Sequence, residues 1–270
     1  MILFPPAKIN LGLNVLYKRD DGYHEIESCM IAIPFYDVLE IIPAEVFSFQ
    51  QTGKTVACDQ EDNLCVKAYR LLASNYSLPN NVAIHLRKEI PMGAGLGGGS
   101  ADASYVVRGL VALFNLGISE DDQRELVAQL GSDCPFFISE KPQIATGRGE
   151  ILQPINVNLS AYFLKIINPG IHIGTKEAYD GIQFSDNSIS ISAILAQPIE
   201  HWKAQLKNDF ERTVFKNHPT LAQIKASLYE EGAIYAAMSG SGSTLFGIFK
   251  EEPKLTFSHE NYLECIMPFA

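Results

Sequence analysis

The chain has 270 residues, 47% hydrophobic and 19% charged, with 20 Gly, 14 Pro and a formal net charge of −10. That hydrophobic fraction excludes intrinsic disorder, and Gly plus Pro are too few for a collagen-like or low-complexity chain. The acidity excludes the basic footprint of a nucleic-acid binder, but leaves room for anion binding through backbone dipoles and a few cations.

In chain order, residues 1–18 read as strand, because Ile9, Leu11, Leu13 and Val15 alternate with Asn10, Gly12 and Asn14. Asp20-Asp21-Gly22 is a turn, and 25–42 is further strand interrupted at Pro34. Asp62–Ser74 reads as a helix with Leu64, Ala68, Leu71 and Leu72 on one face, and Asn81–Lys88 as a strand. Ser100–Leu116 is a second helix, with Ala103, Val106, Val107, Leu110, Leu113 and Phe114 on one stripe and Gly117 ending it. Ser119-x-x-Asp122 starts a third helix, which stops at Gly131. The segment 144–170 is mainly strand. Helices follow near 193–206 and 219–231, then a strand–turn–strand over 233–249 around Ser239-Gly240-Ser241-Gly242. Irregular interleaving of strands and helices points to an α+β fold. The halves divide near 152–160, giving expected domains of 1–155 and 156–270.

The cysteines Cys29, Cys58, Cys65, Cys134 and Cys265 are odd in number and scattered, with no CxxC pair. Neither a disulfide framework nor a zinc site fits them, which points to reduced thiols and a cytoplasmic setting. The N-terminal run lacks a basic n-region and is broken by Pro5, Pro6 and Lys8, so it makes a poor signal peptide. No apolar stretch reaches the roughly 20 residues of a membrane span, so no membrane partner is expected.

The most informative stretch is Pro91-Met92-Gly93-Ala94-Gly95-Leu96-Gly97-Gly98-Gly99-Ser100, between a strand and a helix. Five glycines in seven residues are costly in folding entropy for an ordinary turn. They let backbone amides approach a ligand, and the following helix N-terminus adds its dipole, so the loop reads as a phosphate site. Ser100 stands where a hydroxyl can cap the helix or touch a phosphate. Gly93, Gly95 and Gly98 also match G-x-G-x-x-G, but the acidic residues about 20 positions on, Glu120–Asp122, fall at a helix start and not at a strand end. A dinucleotide oxidoreductase is therefore a distant reading. Gly53-Lys54-Thr55 completes a Walker A loop only in part, since Ser48 takes the first glycine position, and the H-R-D and D-F-G elements of protein kinases are missing.

The loop resembles the second motif of the GHMP kinases (galactokinase, homoserine, mevalonate and phosphomevalonate kinases). Pro6-Ala7-Lys8-Ile9-Asn10-Leu11 resembles their first motif and Met238-Ser239-Gly240-Ser241-Gly242-Ser243-Thr244 their third. Within that superfamily, Asp21-Gly22-Tyr23-His24-Glu25, Gly131-Ser132-Asp133-Cys134-Pro135-Phe136-Phe137, Gly147-Arg148-Gly149-Glu150 and Asn208-Asp209-Phe210-Glu211 look like the 4-diphosphocytidyl-2-C-methyl-D-erythritol kinases of the non-mevalonate isoprenoid route. The resemblance implies a two-domain GHMP fold: an ATP-binding N-terminal domain, a C-terminal domain, and ATP and substrate in the cleft between them. It also implies transfer of the ATP γ-phosphoryl to the 2-hydroxyl of the methylerythritol unit.

By the same resemblance Asp133 is the base and Lys8 its cationic partner, which keeps a carboxylate ionised and offsets charge on the transferred group. The whole loop 91–100 contacts ATP, with Asn63 and Lys88 on the adenine side. Asn10 faces the side of the strand that Lys8 faces and binds substrate hydroxyls. Tyr23 stacks on cytosine, His24 reads the base edge, Tyr179 lies on the other side of the base, and Thr175 is a further substrate contact. Mg²⁺ is expected with ATP, bound mainly through phosphate oxygens, and no residue is assigned as its ligand. Two departures stand out. Ala101 and Asp102 replace the Ser and Asn of many members. Ala101 can make no polar phosphate contact, and Asp102 adds negative charge near the phosphates unless it holds Mg²⁺ or turns away. Two other readings remain: a GHMP-type kinase for another small alcohol, separable by cytidine competition, and a catalytically silent nucleotide-binding protein.

Overall fold

The computed structural model describes residues 1–54, 59–182, 184, 189–256 and 262–269. Strands and helices are mixed as the α+β reading expects, and the contacts group the chain into two compact units, each assembled from several stretches of sequence. Thr55 and Cys58 lie outside the described residues.

The first unit comprises 1–7, 35–92 and 97–140. Its sheet has the order Ile2–Leu3, Val38–Ala44, Asn81–Lys88, Ser48–Gly53. Val38–Ala44 runs antiparallel to Asn81–Lys88 with Ile41 opposite Ile84, and Ser48–Gly53 runs parallel to it. A parallel pair needs a crossover, and the helix Leu64–Asn75 supplies it. Helices Gly98–Phe114 and Glu120–Ala128 complete the layer. The alternating strand residues Leu39, Ile41, Ile84 and Leu86 meet the helical stripe Ala103, Val106, Val107 and Leu110 in one core.

The second unit comprises 8–34, 93–96 and 141–270. Tyr235–Met238, Leu245–Phe249, Phe163–Asn168 and Leu263–Pro268 form an antiparallel sheet in that order. Helices Phe210–Asn217 and Pro219–Glu230 cover it through Val214, Leu221, Ile224 and Leu228. A further sheet runs Pro6–Lys18, His24–Tyr36, Gln143–Thr146, Ile151–Pro154.

Several boundaries differ from the sequence reading. Pro34 does not interrupt its strand, which continues to Tyr36. It lies beyond Ser28–Met30, the stretch paired with Gln143–Thr146, so its missing N–H breaks no bond there. The break comes at Asp37, whose carboxylate turns inward. The first helix begins at Leu64 and not Asp62, because the Asn63 side chain caps it by accepting from the Cys65 amide at 2.9 Å. The glycine helix begins at Gly98, two residues before Ser100, so Ser100 sits in the first turn and does not cap it. That helix ends at Phe114 with Asn115 in the left-handed region, ahead of Gly117. Ser119 does cap the next helix, accepting from the Asp122 amide. The short helices Phe136–Ser139 and Thr175–Tyr179 escape periodicity, since fewer than two turns carry little pattern, and the eight-residue helix Phe210–Asn217 is absent from the sequence reading as well.

Two buried lysines organise the interiors. In the first unit Lys88 is fully buried and ion-paired with Asp37 and, at 2.7 Å, with Asp102. Asp37 also accepts the amides of Glu89 (2.6 Å) and Ile90 (2.8 Å), tying the strand end to the same cluster. Burial opposes the Lys88 charge, but the two carboxylates outweigh it and raise its pKa. Burial, countered in part by Lys88, pushes the Asp102 carboxyl up to about 7. In the second unit Lys165 is also fully buried, with Glu231 and Glu264 each at 2.7 Å and the Lys254 carbonyl and Thr256 hydroxyl at 2.8 Å.

Two outcomes follow. A carboxyl whose folded pKa lies above its unfolded 3.8 binds a proton more readily in the native state, so its contribution to stability falls as pH rises from about 4 to about 7 and is level above that. Chemical denaturation at pH 5 and pH 8 is expected to show a smaller pH 5 advantage in Asp102→Asn than in wild type. Removing the Lys165 ammonium leaves Glu231 and Glu264 facing each other without their cation. Lys165→Met is expected to cost about 3 kcal/mol in urea unfolding, at the low end for a broken buried pair because Glu231 is partly wet. Adding Glu231→Gln and Glu264→Gln is expected to recover part of that loss.

Candidate active site

The glycine loop is built from both ends. In the second unit Ala94 and Leu96 are buried pegs, each preceded by a glycine, Gly93 and Gly95, with φ of 61° and 76°. The Lys8 amide donates to the Leu96 carbonyl at 2.9 Å and the Thr244 amide to the Ala94 carbonyl at 3.2 Å. The loop is thereby pinned between the first and third sequence motifs. At Gly95 no side chain fits: a Cβ would lie 2.0 Å from the Ser239 carbonyl oxygen. The Gly95 carbonyl accepts from the Lys8 ammonium at 3.1 Å and from the Ser239 hydroxyl at 2.8 Å.

Lys8 and Asn10 alternate onto one face of their strand, as the spacing predicts. The Lys8 ammonium donates to Asn10 Oδ1 at 2.6 Å; Asn10 Nδ2 donates to Ser28 Oγ at 2.8 Å, and Ser28 donates to the Gly12 carbonyl at 2.7 Å. Both residues are nearly buried, at 3% and 2% exposure. A buried ammonium needs acceptors, and this chain of bonds supplies them.

The first unit holds the other half of the loop. Gly97, with φ of 69°, precedes the helix Gly98–Phe114, and the Ala101 amide donates back to its carbonyl at 2.9 Å. A Cβ on Gly98 would lie 2.8 Å from Ile90 and 2.9 Å from the Lys88 ammonium, so this helix start rests directly on the buried cluster. Asp102 faces Lys88 in that cluster at 2% exposure, which means it has turned inward. Its second oxygen has no hydrogen-bond partner among the described residues.

The turn that carries Asp133 lies against the same helix. The Ser104 hydroxyl sits 2.8 Å from both the Ser100 and Cys134 carbonyls and shares one proton between them. Arg108 donates to the Phe137 carbonyl at 3.0 Å and pairs with Glu140, whose carboxylate also accepts from Tyr105 at 2.6 Å. A Cβ on Gly131 would be 3.9 Å from Ser100 Oγ. Thus the Gly131–Asp133 turn and the first turn of the glycine helix are neighbours.

The remaining sequence candidates have these surroundings. Asn63 is 8% exposed and committed to its helix cap and to Gln51 at 3.2 Å. Tyr23 is 57% exposed, with the Arg148 guanidinium 4.9 Å from its ring centre. The His24 ring stacks on Tyr179 at 4.5 Å and 16°, and Tyr179 meets Phe210 edge-on at 4.8 Å. Burial, then the nearby Lys18, lowers the His24 pKa, which favours the neutral ring with its one donor and one acceptor. Thr175 is exposed at the start of its short helix. Pro91 is half-buried and Met92 exposed at the loop entrance, and Gly99 has open space around it beyond Leu64 and Met92.

Ser28, Asp37 and Ser104 support these groups without any motif of their own. Nothing in their local sequence marks them, because each acts through a partner distant along the chain. Among the described residues no group of three or more His, Cys, Asp or Glu side chains is gathered for a metal ion, and no helix is long and apolar enough to cross a membrane.

The chain matches the model of the GHMP kinases N-terminal domain over residues 63–141 and that of the GHMP kinases C-terminal region over 190–257. It is 49% identical over 272 aligned residues to a 4-diphosphocytidyl-2-C-methyl-D-erythritol kinase of Cytophaga hutchinsonii, covering 99% of this chain and 100% of the relative. A kinase of the same name from Azobacteroides pseudotrichonymphae is 47% identical, with 97% and 100% covered. The crystal structure of a 4-(cytidine 5'-diphospho)-2C-methyl-D-erythritol kinase superposes with a TM-score of 0.80 at 31% identity, covering 92% of this chain and 90% of that one. With both domain models matched in order and relatives alike over essentially the whole length, the chain belongs to the GHMP kinases, in the 4-diphosphocytidyl-2-C-methyl-D-erythritol kinase family.

Proposed function

We infer that this protein transfers the γ-phosphoryl group of ATP to the 2-hydroxyl of 4-(cytidine 5'-diphospho)-2-C-methyl-D-erythritol, in the non-mevalonate route to isoprenoid precursors. The observation that carries the reading is the Gly95 carbonyl. Residues of the first and third motifs, Lys8 and Ser239, both donate to it, and a loop so held leaves its amides free to face an anion.

In this reading the amides of 93–100 and the N-terminus of the helix Gly98–Phe114 cradle the ATP phosphates. Mg²⁺ travels with the nucleotide and is held mainly through phosphate oxygens. The Asp133 carboxylate takes the proton of the 2-hydroxyl, the resulting oxygen attacks the γ-phosphorus in line, and the bond to the β–γ bridging oxygen breaks to release ADP. The Lys8 ammonium offsets negative charge on the transferred group, and Asn10 sets the direction of that ammonium. Tyr23, His24 and Tyr179 form the cytosine site, with His24 reading the base edge and Thr175 beside it. Asn63 and Lys88 shape the adenine side from within, since their side chains are committed to a helix cap and to Asp37 and Asp102. A cytoplasmic setting suits the buried free thiols Cys29, Cys65 and Cys134.

Incubation of the protein with ATP, Mg²⁺ and the diphosphocytidyl alcohol, followed by ³¹P NMR, is expected to give ADP and a 2-phosphate monoester. Absence of that monoester, or phosphorylation of another alcohol with no inhibition by cytidine nucleotides, overturns the substrate assignment. Asp133→Asn is expected to keep its fold and its ATP affinity while turnover drops by about 10²–10⁴-fold, the range of general-base catalysis. Turnover at the wild-type rate removes Asp133 as the base.

A further inference from the structure

The segment Asn208-Asp209-Phe210-Glu211 is spent almost wholly on the backbone of other elements. Asn208 is 3% exposed. Its Nδ2 donates to the Met238 carbonyl at 2.7 Å and the Gly240 carbonyl at 2.8 Å, while its Oδ1 accepts from the Phe210 amide at 3.0 Å. Asp209 accepts from the Val15 amide at 2.7 Å, and the Asp209 amide donates to the Leu13 carbonyl at 2.9 Å. Glu211 accepts from the Met238 amide at 2.8 Å and is held by Lys225 at 2.5 Å. One short segment therefore bonds both to the strand that carries Lys8 and Asn10 and to the strand that leads into the third-motif turn.

Asn208 brackets a single residue. Its two acceptors are the carbonyls immediately before and after Ser239, and Ser239 is the residue whose hydroxyl reaches Gly95. A primary amide can donate twice and accept once in this geometry, whereas a carboxylate of the same shape has no proton to offer either carbonyl.

We propose that Asn208 is a positioning residue for phosphoryl transfer. By holding the carbonyls on both sides of Ser239 it sets the Ser239 hydroxyl on Gly95, and so holds Gly93–Leu96 in its phosphate-binding shape. The proposal rests on the reading of that loop as the ATP phosphate cradle. It places the effect on ATP binding and not on the cytosine end of the substrate.

The test compares wild type, Asn208→Asp, Ser239→Ala and the double variant. Fold is checked by circular dichroism, ATP affinity by direct titration without the alcohol, and KM by steady-state kinetics for each substrate. Asn208→Asp is expected to weaken ATP binding by about tenfold, the upper scale of one neutral hydrogen bond, and to leave KM for the alcohol within about twofold. Ser239→Ala is expected to weaken ATP binding similarly, and the double variant to be no worse than the weaker single, because both act through one bond. A folded Asn208→Asp with wild-type ATP affinity overturns the proposal, as does full additivity with Ser239→Ala. Should Asn208→Asp fail to fold, Asn208→Ser, which keeps one donor, takes its place. Should that fail as well, Ser239→Ala decides alone: weakened ATP binding supports the proposal and unchanged binding overturns it. The titration does not depend on which alcohol is phosphorylated, so a wrong substrate assignment and a wrong role for Asn208 give different results. A wild-type protein that binds no ATP defeats the functional reading itself.

Discussion

The shared carbonyl of Gly95 is the constraint on which the loop depends. It accepts from Lys8 and from Ser239, residues 87 and 144 positions away, and the Ser239 carbonyl presses so closely that no Cβ can stand on Gly95. The positive φ and the missing space each demand glycine independently. Because all three motifs meet at one atom, the strand with Lys8, the loop and the third-motif turn cannot move separately without breaking a bond. Pre-organisation of this kind is what electrostatic stabilisation of a transferring phosphoryl group requires: the donors are in place before charge develops.

The distribution of cations follows from the same economy of charge. In a chain with 31 acidic and 21 basic residues, Lys8, Lys88 and Lys165 are all buried, at 3%, 0% and 0% exposure. Lys88 and Lys165 face carboxylates, while the Lys8 ammonium donates to the neutral Asn10 amide oxygen and Gly95 carbonyl. Lys88 and Lys165 are structural centres: one ties the helix start after the loop to a strand end through Asp37 and Asp102, and the other ties the middle of a sheet to Glu231 and Glu264. Attraction for an anionic ligand in such a chain rests on backbone amides and a helix N-terminus more than on a basic surface.

Asp102 shows how a departure from a family pattern is absorbed. Read along the chain, a carboxylate two residues after Ser100 threatens the phosphates with like charge. In the fold it points at Lys88, and burial, countered in part by that ammonium, raises its carboxyl pKa. The charge that looked misplaced belongs to the interior. The segment from Asn208 to Glu211 is the converse case: a recognisable motif whose polar side chains bond mostly to distant carbonyls and amides.

The sequence by itself determined the elements that repeat or punctuate: the alternation at 9–15, the strand Asn81–Lys88, the stripe from Ala103 to Leu110, the Ser119 cap, and three glycine- or lysine-bearing motifs in family order. These are local signals, readable because period and turn chemistry act over a few residues. Periodicity missed the short helices and displaced helix starts by two residues, since a cap such as Asn63 or a left-handed Gly97 outweighs propensity at an end. Tertiary structure alone decided that Asp102 turns inward, that Asn10 is held between Lys8 and Ser28, that His24 lies on Tyr179, and that Gly95 is where the motifs meet. Each of those is a contact between residues far apart in the chain. Such contacts are set by which surfaces pack together, and no local pattern encodes the partner.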